Sequence, residues 1–161
     1  IGNSRGASSV AFDLGVLYKC EINDWEGAGW SVGLHVSNLG PKINYLTSKD
    51  ALPATVKVGG AADLPFLQMH KLTLTAELIY RLSPADVQAI SVSAGAEYAW
   101  RELVMLRGGY HCGDKKKGDA SYATAGAGVE YAGVRLDFAW LFAGHEYLAR
   151  NTFWVSLGYS F

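Results

Sequence analysis

Residues 151–161 read NTFWVSLGYSF. On an extended backbone, successive side chains point to opposite faces. Phe153, Val155, Leu157, Tyr159 and Phe161 therefore share one face, and Thr152, Trp154, Ser156, Gly158 and Ser160 the other. A soluble domain usually frays into polar residues at its terminus. Here alternate positions are apolar and the last is a phenylalanine. The stretch is expected to be a strand of a barrel wall whose apolar side meets lipid.

The same alternation recurs upstream, and helical periodicity is nearly absent. Eight further strands are predicted, at residues 9–19, 29–38, 53–63, 71–81, 88–99, 103–111, 121–131 and 134–142. Each has one greasy face, such as Leu14, Val16 and Tyr18 in the first or Leu136, Phe138 and Trp140 in the eighth. The other face is small, polar or charged. It carries Asp13, Lys19, His35, Lys57, Thr73, Thr75, Glu77, Arg81, Ser91, Ser93, Glu97, Arg107, Thr124, Glu130, Arg135 and Asp137.

A soluble barrel or sandwich turns its apolar face inward, whereas an outer-membrane barrel turns it outward. Three features favour the membrane. Aromatics gather at two levels: Tyr18, Trp30, Tyr98, Tyr131 and Tyr159 at one, Tyr80, Tyr110, Trp140 and Phe153 at the other. Such girdles mark the two interfaces of a bilayer. The greasy-face centres are Leu, Val, Ala and Gly, many too small to fill a compact core, whereas lipid tails fill any shape. The alternation ending on Phe161 resembles the C-terminal assembly signal of outer-membrane barrels.

Composition agrees. The net charge of −1 gives no electrostatic case for nucleic acid. No apolar run approaches the ~20 residues of a membrane helix. The sequence has no starting Met and no signal peptide, so a mature chain or a fragment is expected.

Outer-membrane barrels have short periplasmic turns and longer outer loops. With the last residues in the periplasm, the inner connections are 132–133, 100–102, 64–70 and 20–28. The outer ones are 143–150, 112–120, 82–87 and 39–52, longer on average; the two inner turns nearest the N-terminus do not read as tight. Cys20 and Cys112 then fall at opposite ends of strands, roughly 25 Å apart. A disulfide needs Cα atoms within about 7 Å, so two free thiols are expected. Single-chain bacterial barrels have even strand numbers. Nine strands therefore suggest a single barrel domain over 1–161 that is the C-terminal part of a larger one.

The stretch VSNLGPKINYLTSKDALPATVKVGGA, at 36–61, resembles the PorV/PorQ family of outer-membrane proteins. The family pattern has a strand ending in S-N-x-G, then P-K-I-x-Y, a variable loop, and L-P before a strand with G-x-A. The matching residues are Ser37, Asn38, Gly40, Pro41, Lys42, Ile43, Tyr45, Leu52, Pro53, Gly59 and Ala61. Shorter matches, such as SAGAEYAW, LRGGYH and GAGVEYAGVRLDFAW, extend the likeness over most of the chain. The resemblance implies a fatty-acid-transporter-like barrel of fourteen strands. It also implies a part in type IX secretion, carrying secreted proteins or anchoring surface partners. The short outer connection RLSPAD departs from the PorV pattern.

No catalytic constellation, metal centre or cofactor is expected. Glu77, Glu97 and Glu130 could form an acid/base set, but fit better as partners of Arg81, Arg107, Arg135 and Lys57 in a lumen network that includes Asp137. His111, Cys112 and Asp114 lack the second ligand cluster that a metal site usually has. The run KKKGD at 115–119 is a basic loop tip that could touch lipopolysaccharide or a partner, or simply face solvent. The partner-binding residues are expected on the longest outer loop, at Pro41, Lys42, Asn44 and Tyr45. The expected partners are outer-membrane lipid, translocon or attachment proteins and secreted cargo. The expected location is the outer membrane of a Gram-negative bacterium. The alternative is a channel for small hydrophobic compounds.

Overall fold

The structure is a computed structural model that describes residues 10–41, 43–44, 49–83, 88–144 and 151–160. It is all-β. Nine strands form one antiparallel meander: β1 (Phe12–Glu21), β2 (Gly29–Leu39), β5 (Thr55–Phe66), β6 (His70–Arg81), β7 (Ile90–Trp100), β8 (Val104–Cys112), β9 (Tyr122–Tyr131), β10 (Val134–Ala143) and β11 (Thr152–Tyr159). A two-residue ladder of β3 (Ile43–Asn44) with β4 (Lys49–Asp50) stands apart, in the connection between β2 and β5. Among the described residues β1 and β11 are the sheet's edges, each paired on one side.

The nine predicted strands all form, with ends shifted by a few residues. The largest shifts, of three residues, are at the start of β1, which begins at Phe12 and carries Cys20 inside it, and at the end of β5, which runs on to Phe66. The register preserves the two faces. Val32 lies opposite Tyr18 and Gly60, Ala76 opposite Gly60 and Ala94, and Tyr110 opposite Ala94 and Ala123. A slip of one residue would turn a strand over, and no ladder after the irregularity between Phe12 and Leu14 does so.

The apolar face is the uncovered one. Leu74 is 42 % exposed, Leu136 50 % and Leu157 75 %. On the polar face the Arg107 and Asp137 side chains are 28 % and 21 % exposed. Side chains there also reach over an intervening strand: Arg107 meets Asp137 across β9, and Arg81 meets Asp119 across β7. The ionic side is sheltered in places, around Arg107, Asp137 and Asp119, while the Lys57, Glu77 and Arg135 side chains are 40 %, 41 % and 43 % exposed. The buried apolar residues among those described are Ala28, Ala89, Ala99 and Met105, too little for a soluble core. A strand of eleven residues, tilted by about 45°, rises about 25 Å, the height of a bilayer's apolar band.

The two ends of the sheet differ. At one end residues 132–133, 101–103, 67–69 and 22–28 join the strands. Ala132 and Gly133, Arg101 and Glu102, and Leu67 and Gln68 all have positive φ, the backbone of turns that match strand twist. The connection 22–28 is closed by hydrogen bonds from Ile22 to Ala28 and back through Trp25. The turn after β5, expected to be loose, is therefore tight, because β5 and β6 pair to their ends at Phe66 and His70. The other end carries the long connections, spanning 40–54, 82–89, 113–121 and 144–151. Cys20 lies opposite Trp30 near the short-turn end, Cys112 opposite Val92 at the long-connection end, and both are free thiols.

Candidate functional site

Three arrangements stand out on the polar face and at the long-connection end. The first is a chain of alternating charge. Arg107 on β8 donates to Glu97 on β7 and to Asp137 on β10. Arg135 donates to Asp137 at 2.7 Å and pairs with Glu130, directly opposite on β9, at 3.5 Å. The chain thus runs Glu97, Arg107, Asp137, Arg135, Glu130 over four strands. Gly128 on β9 lets Arg107 pass: a Cβ there would sit 2.5 Å from Asp137 Oδ1 and 3.3 Å from Arg107 Nη1. Isolated exposed pairs contribute about 0.2–1 kcal/mol each. The chain's main effect is to fix strand positions on a face with few apolar contacts.

The second is a buried cluster under the connection 113–121. Asp119, 8 % exposed, turns inward over three strands. It accepts from Arg81 of β6 at 2.9 Å, from Ser91 of β7, and lies 3.3 Å from His111 Nε2 of β8. His111 is stacked on Tyr122, and its Nδ1 lies 2.8 Å from Ser93 Oγ. Burial pushes the Asp119 carboxyl up, but the hydrogen bonds from Arg81, Ser91 and His111 outweigh it and hold it at about 2. The carboxylate is ionised at neutral pH and anchors the connection to the sheet.

Ser93, His111 and Asp119 have the connectivity of a nucleophile, base and orienting acid. The surroundings do not complete that chemistry. Asp119 is already held by Arg81 and Ser91, and Ser93 lies inside β7, paired on both sides, where backbone N–H groups serve the ladders rather than an oxyanion. The cluster is built as an anchor.

The third is the long connection after β2. Asn38 has φ 57, a left-handed conformation that Asn tolerates. Its N–H donates to Asp13 at 2.7 Å and its side chain to the Pro53 carbonyl at 3.2 Å, tying the two ends of 40–54 together. Gly40 abuts the Val10 carbonyl and leaves no room for a Cβ. The S-N-x-G spacing therefore has a local physical reason.

Of the expected network, Glu97, Arg107, Glu130, Arg135 and Asp137 come together. Glu77 stands apart, 3.9 Å from Lys57, and Arg81 goes to Asp119, which sequence reasoning missed. The one sequence hint is the acid that closes the KKKGD run at 115–119. Pro41 is exposed and Asn44 is in β3, while Lys42 and Tyr45 lie outside the described residues. His111 and Cys112 point to opposite faces as strand neighbours, and no group of three His, Cys, Asp or Glu among the described residues is placed to hold a metal. A cavity of about 660 Å³ lies over β1, β2 and β5–β7, lined mostly by glycine, alanine, Val16, Leu17 and Leu34, with His35, Lys57, Thr75, Glu77 and Ser93 among them.

No curated protein matches the chain. The family model described as type IX secretion system protein PorV matches residues 1–88, which is more than half of the 161. The matched part includes β1, β2, β5 and β6 and the tied connection after β2. The chain belongs to the PorV family of type IX secretion system proteins.

Proposed function

We propose that this chain forms part of a β-barrel wall in the outer membrane of a Gram-negative bacterium and docks proteins during type IX secretion, without catalysis of its own. The supporting observation is the uncovered apolar face, with aromatics at both rims, opposite a face of linked ionic side chains. In the expected fourteen-strand barrel, β1 and β11, the edges among the described residues, would lie next to further strands. The partners are translocon or attachment proteins and secreted cargo, with outer-membrane lipid around the wall. The connection 40–54 is the docking element, through Pro41, Lys42, Asn44 and Tyr45. Its ends are tied by the Asn38–Pro53 hydrogen bond, which lowers the ordering cost of binding. The test replaces Lys42 and Tyr45 with Ala and measures co-purification of cargo and partner proteins. Recovery should fall with the barrel intact; unchanged recovery removes this connection from the reading.

The cavity supports a second reading, a channel for small hydrophobic compounds. Its lining is largely apolar, with Val16, Leu17 and Leu34, and carries the Lys57–Glu77 pair among those residues. Selective flux of an apolar solute into proteoliposomes would favour the channel, and no flux favours docking.

A further inference from the structure

We propose, resting on the membrane reading above, that Arg101, Glu102 and the cavity beside them bind the headgroup of a phospholipid that carries a phosphate and a primary amine. The two residues turn the chain from β7 into β8 at the short-connection end, with φ of 53 and 58. Contacts on the page fix where the Arg101 side chain goes. Its Nε–H donates to Met69 Sδ at 3.0 Å, its backbone N–H donates to the Met69 carbonyl at 2.7 Å, and its guanidinium carbon lies 5.4 Å from the centroid of the Trp100 ring. Trp100 stands on the apolar face and is 40 % exposed. Beside it on that face Phe66 stacks on His70 with centroids 5.5 Å apart, and His70 Nδ1 lies 2.6 Å from the Tyr98 hydroxyl. The cation is thus seated on an aromatic rim of the kind that lies at a membrane interface. Its terminal N–H groups meet no carboxylate among the described residues, and such a fork matches two oxygens of a phosphate.

The cavity's charges select the headgroup. Its volume is about 510 Å³, and its lining includes Gln68, His70, Lys71, Arg101 and Glu102. His70 is engaged with Tyr98, and Lys71 is paired with Asp63 at 3.1 Å. Arg101 and Glu102 are exposed and form no ion pair among the described residues, with each other or with a neighbour. One unpaired cation and one unpaired carboxylate on the same cavity complement a zwitterion. A purely anionic headgroup would be repelled by Glu102. A primary ammonium can donate hydrogen bonds to that carboxylate, and a quaternary one cannot. The uncovered apolar face decides between a lipid and a soluble zwitterion: acyl chains continue from the headgroup over the exposed Phe66 and Trp100. With the short turns in the periplasm, the ligand belongs to the periplasmic leaflet.

The experiment measures binding of phosphatidylethanolamine, phosphatidylcholine and phosphatidylglycerol, with the same acyl chains, to the full-length protein in detergent micelles. Phosphatidylethanolamine should bind tightest. A hydrogen bond to a charged group contributes about tenfold in affinity. Arg101→Gln should therefore weaken all three lipids about tenfold, and Arg101→Lys, which keeps the charge and loses the fork, should recover part of the loss. Glu102→Gln leaves every Arg101 contact in place and should abolish the preference for phosphatidylethanolamine. Equal binding of the three lipids by the wild type, or unchanged binding of phosphatidylethanolamine in either Gln variant, overturns the proposal. So does an Arg101→Gln protein that keeps its lipid affinity and loses a periplasmic protein, since that assigns the turn to a protein partner. Failure of the membrane reading itself would show separately, as a protein that is monodisperse without detergent and does not enter vesicles.

Discussion

Replacing Asp119 with Ala should release the connection 113–121 without unfolding the sheet. The carboxyl lies at about 2 against an ordinary 3.8, and its side chain is only 10 % exposed. At 1.36 kcal/mol per pH unit, that difference corresponds to about 2 kcal/mol. The folded value is depressed, so this stabilisation is fully present above about pH 4 and is lost as pH falls through about 2. Removing the side chain also leaves Ser91, 1 % exposed, without its acceptor. The groups around the carboxylate are Arg81, Ser91 and His111, and a loss of 2 kcal/mol is about 30-fold in a local opening equilibrium. Hydrogen exchange in micelles reads it directly. The Lys117, Gly118 and Asp119 amides, which bond back to Asp114 and Lys115, should exchange about 30-fold faster in the variant. Amides of the β9–β10 ladder should keep their rates. Wild-type acidified toward pH 2 should approach the variant's behaviour. Unchanged exchange in the connection, or faster exchange throughout the sheet, would refute the anchoring role.

Other consequences follow from the same geometry. Gly128→Ala should push Asp137 off Arg107 and cost about 1–3 kcal/mol, read as a lower midpoint in heat-modifiability gels; an unchanged midpoint would contradict the close passage. Leu74→Arg, on the uncovered face near mid-strand, should cost about 2–4 kcal/mol in folding into lipid vesicles, whereas a neutral result would argue against lipid contact. Under mild oxidant Cys20 and Cys112 should stay unjoined to each other in peptide mass spectra, because they lie toward opposite ends of the sheet; a Cys20–Cys112 bridge would reject the topology.

The strands were legible because alternation with a period of two is a local property, and the family phrase at 36–61 is local as well. The ionic face was legible for the same reason: Glu97, Arg107, Glu130, Arg135 and Asp137 each fall on the polar side of their own strand's alternation. Which of them meet was not, since Arg107 reaches Asp137 only through the register of three strands and the missing Cβ of Gly128. Asp119 was hidden because its partners are 38, 28 and 8 residues away. The turn at Leu67 and Gln68 was hidden because neither residue favours positive φ; the pairing of β5 with β6 imposes it. His111 and Cys112, neighbours in sequence, are sent to opposite faces by strand geometry.

The most direct test of the account is spin labelling of single-cysteine variants, in a background lacking Cys20 and Cys112, reconstituted in bilayers. Labels at positions 74, 136 and 157 should show high accessibility to oxygen, which partitions into acyl chains, and low accessibility to a water-soluble nickel chelate. Labels at 77 and 135 should show the reverse. If the chelate reaches 74, 136 and 157 as readily as 77 and 135, the apolar face does not meet lipid, and the membrane account fails.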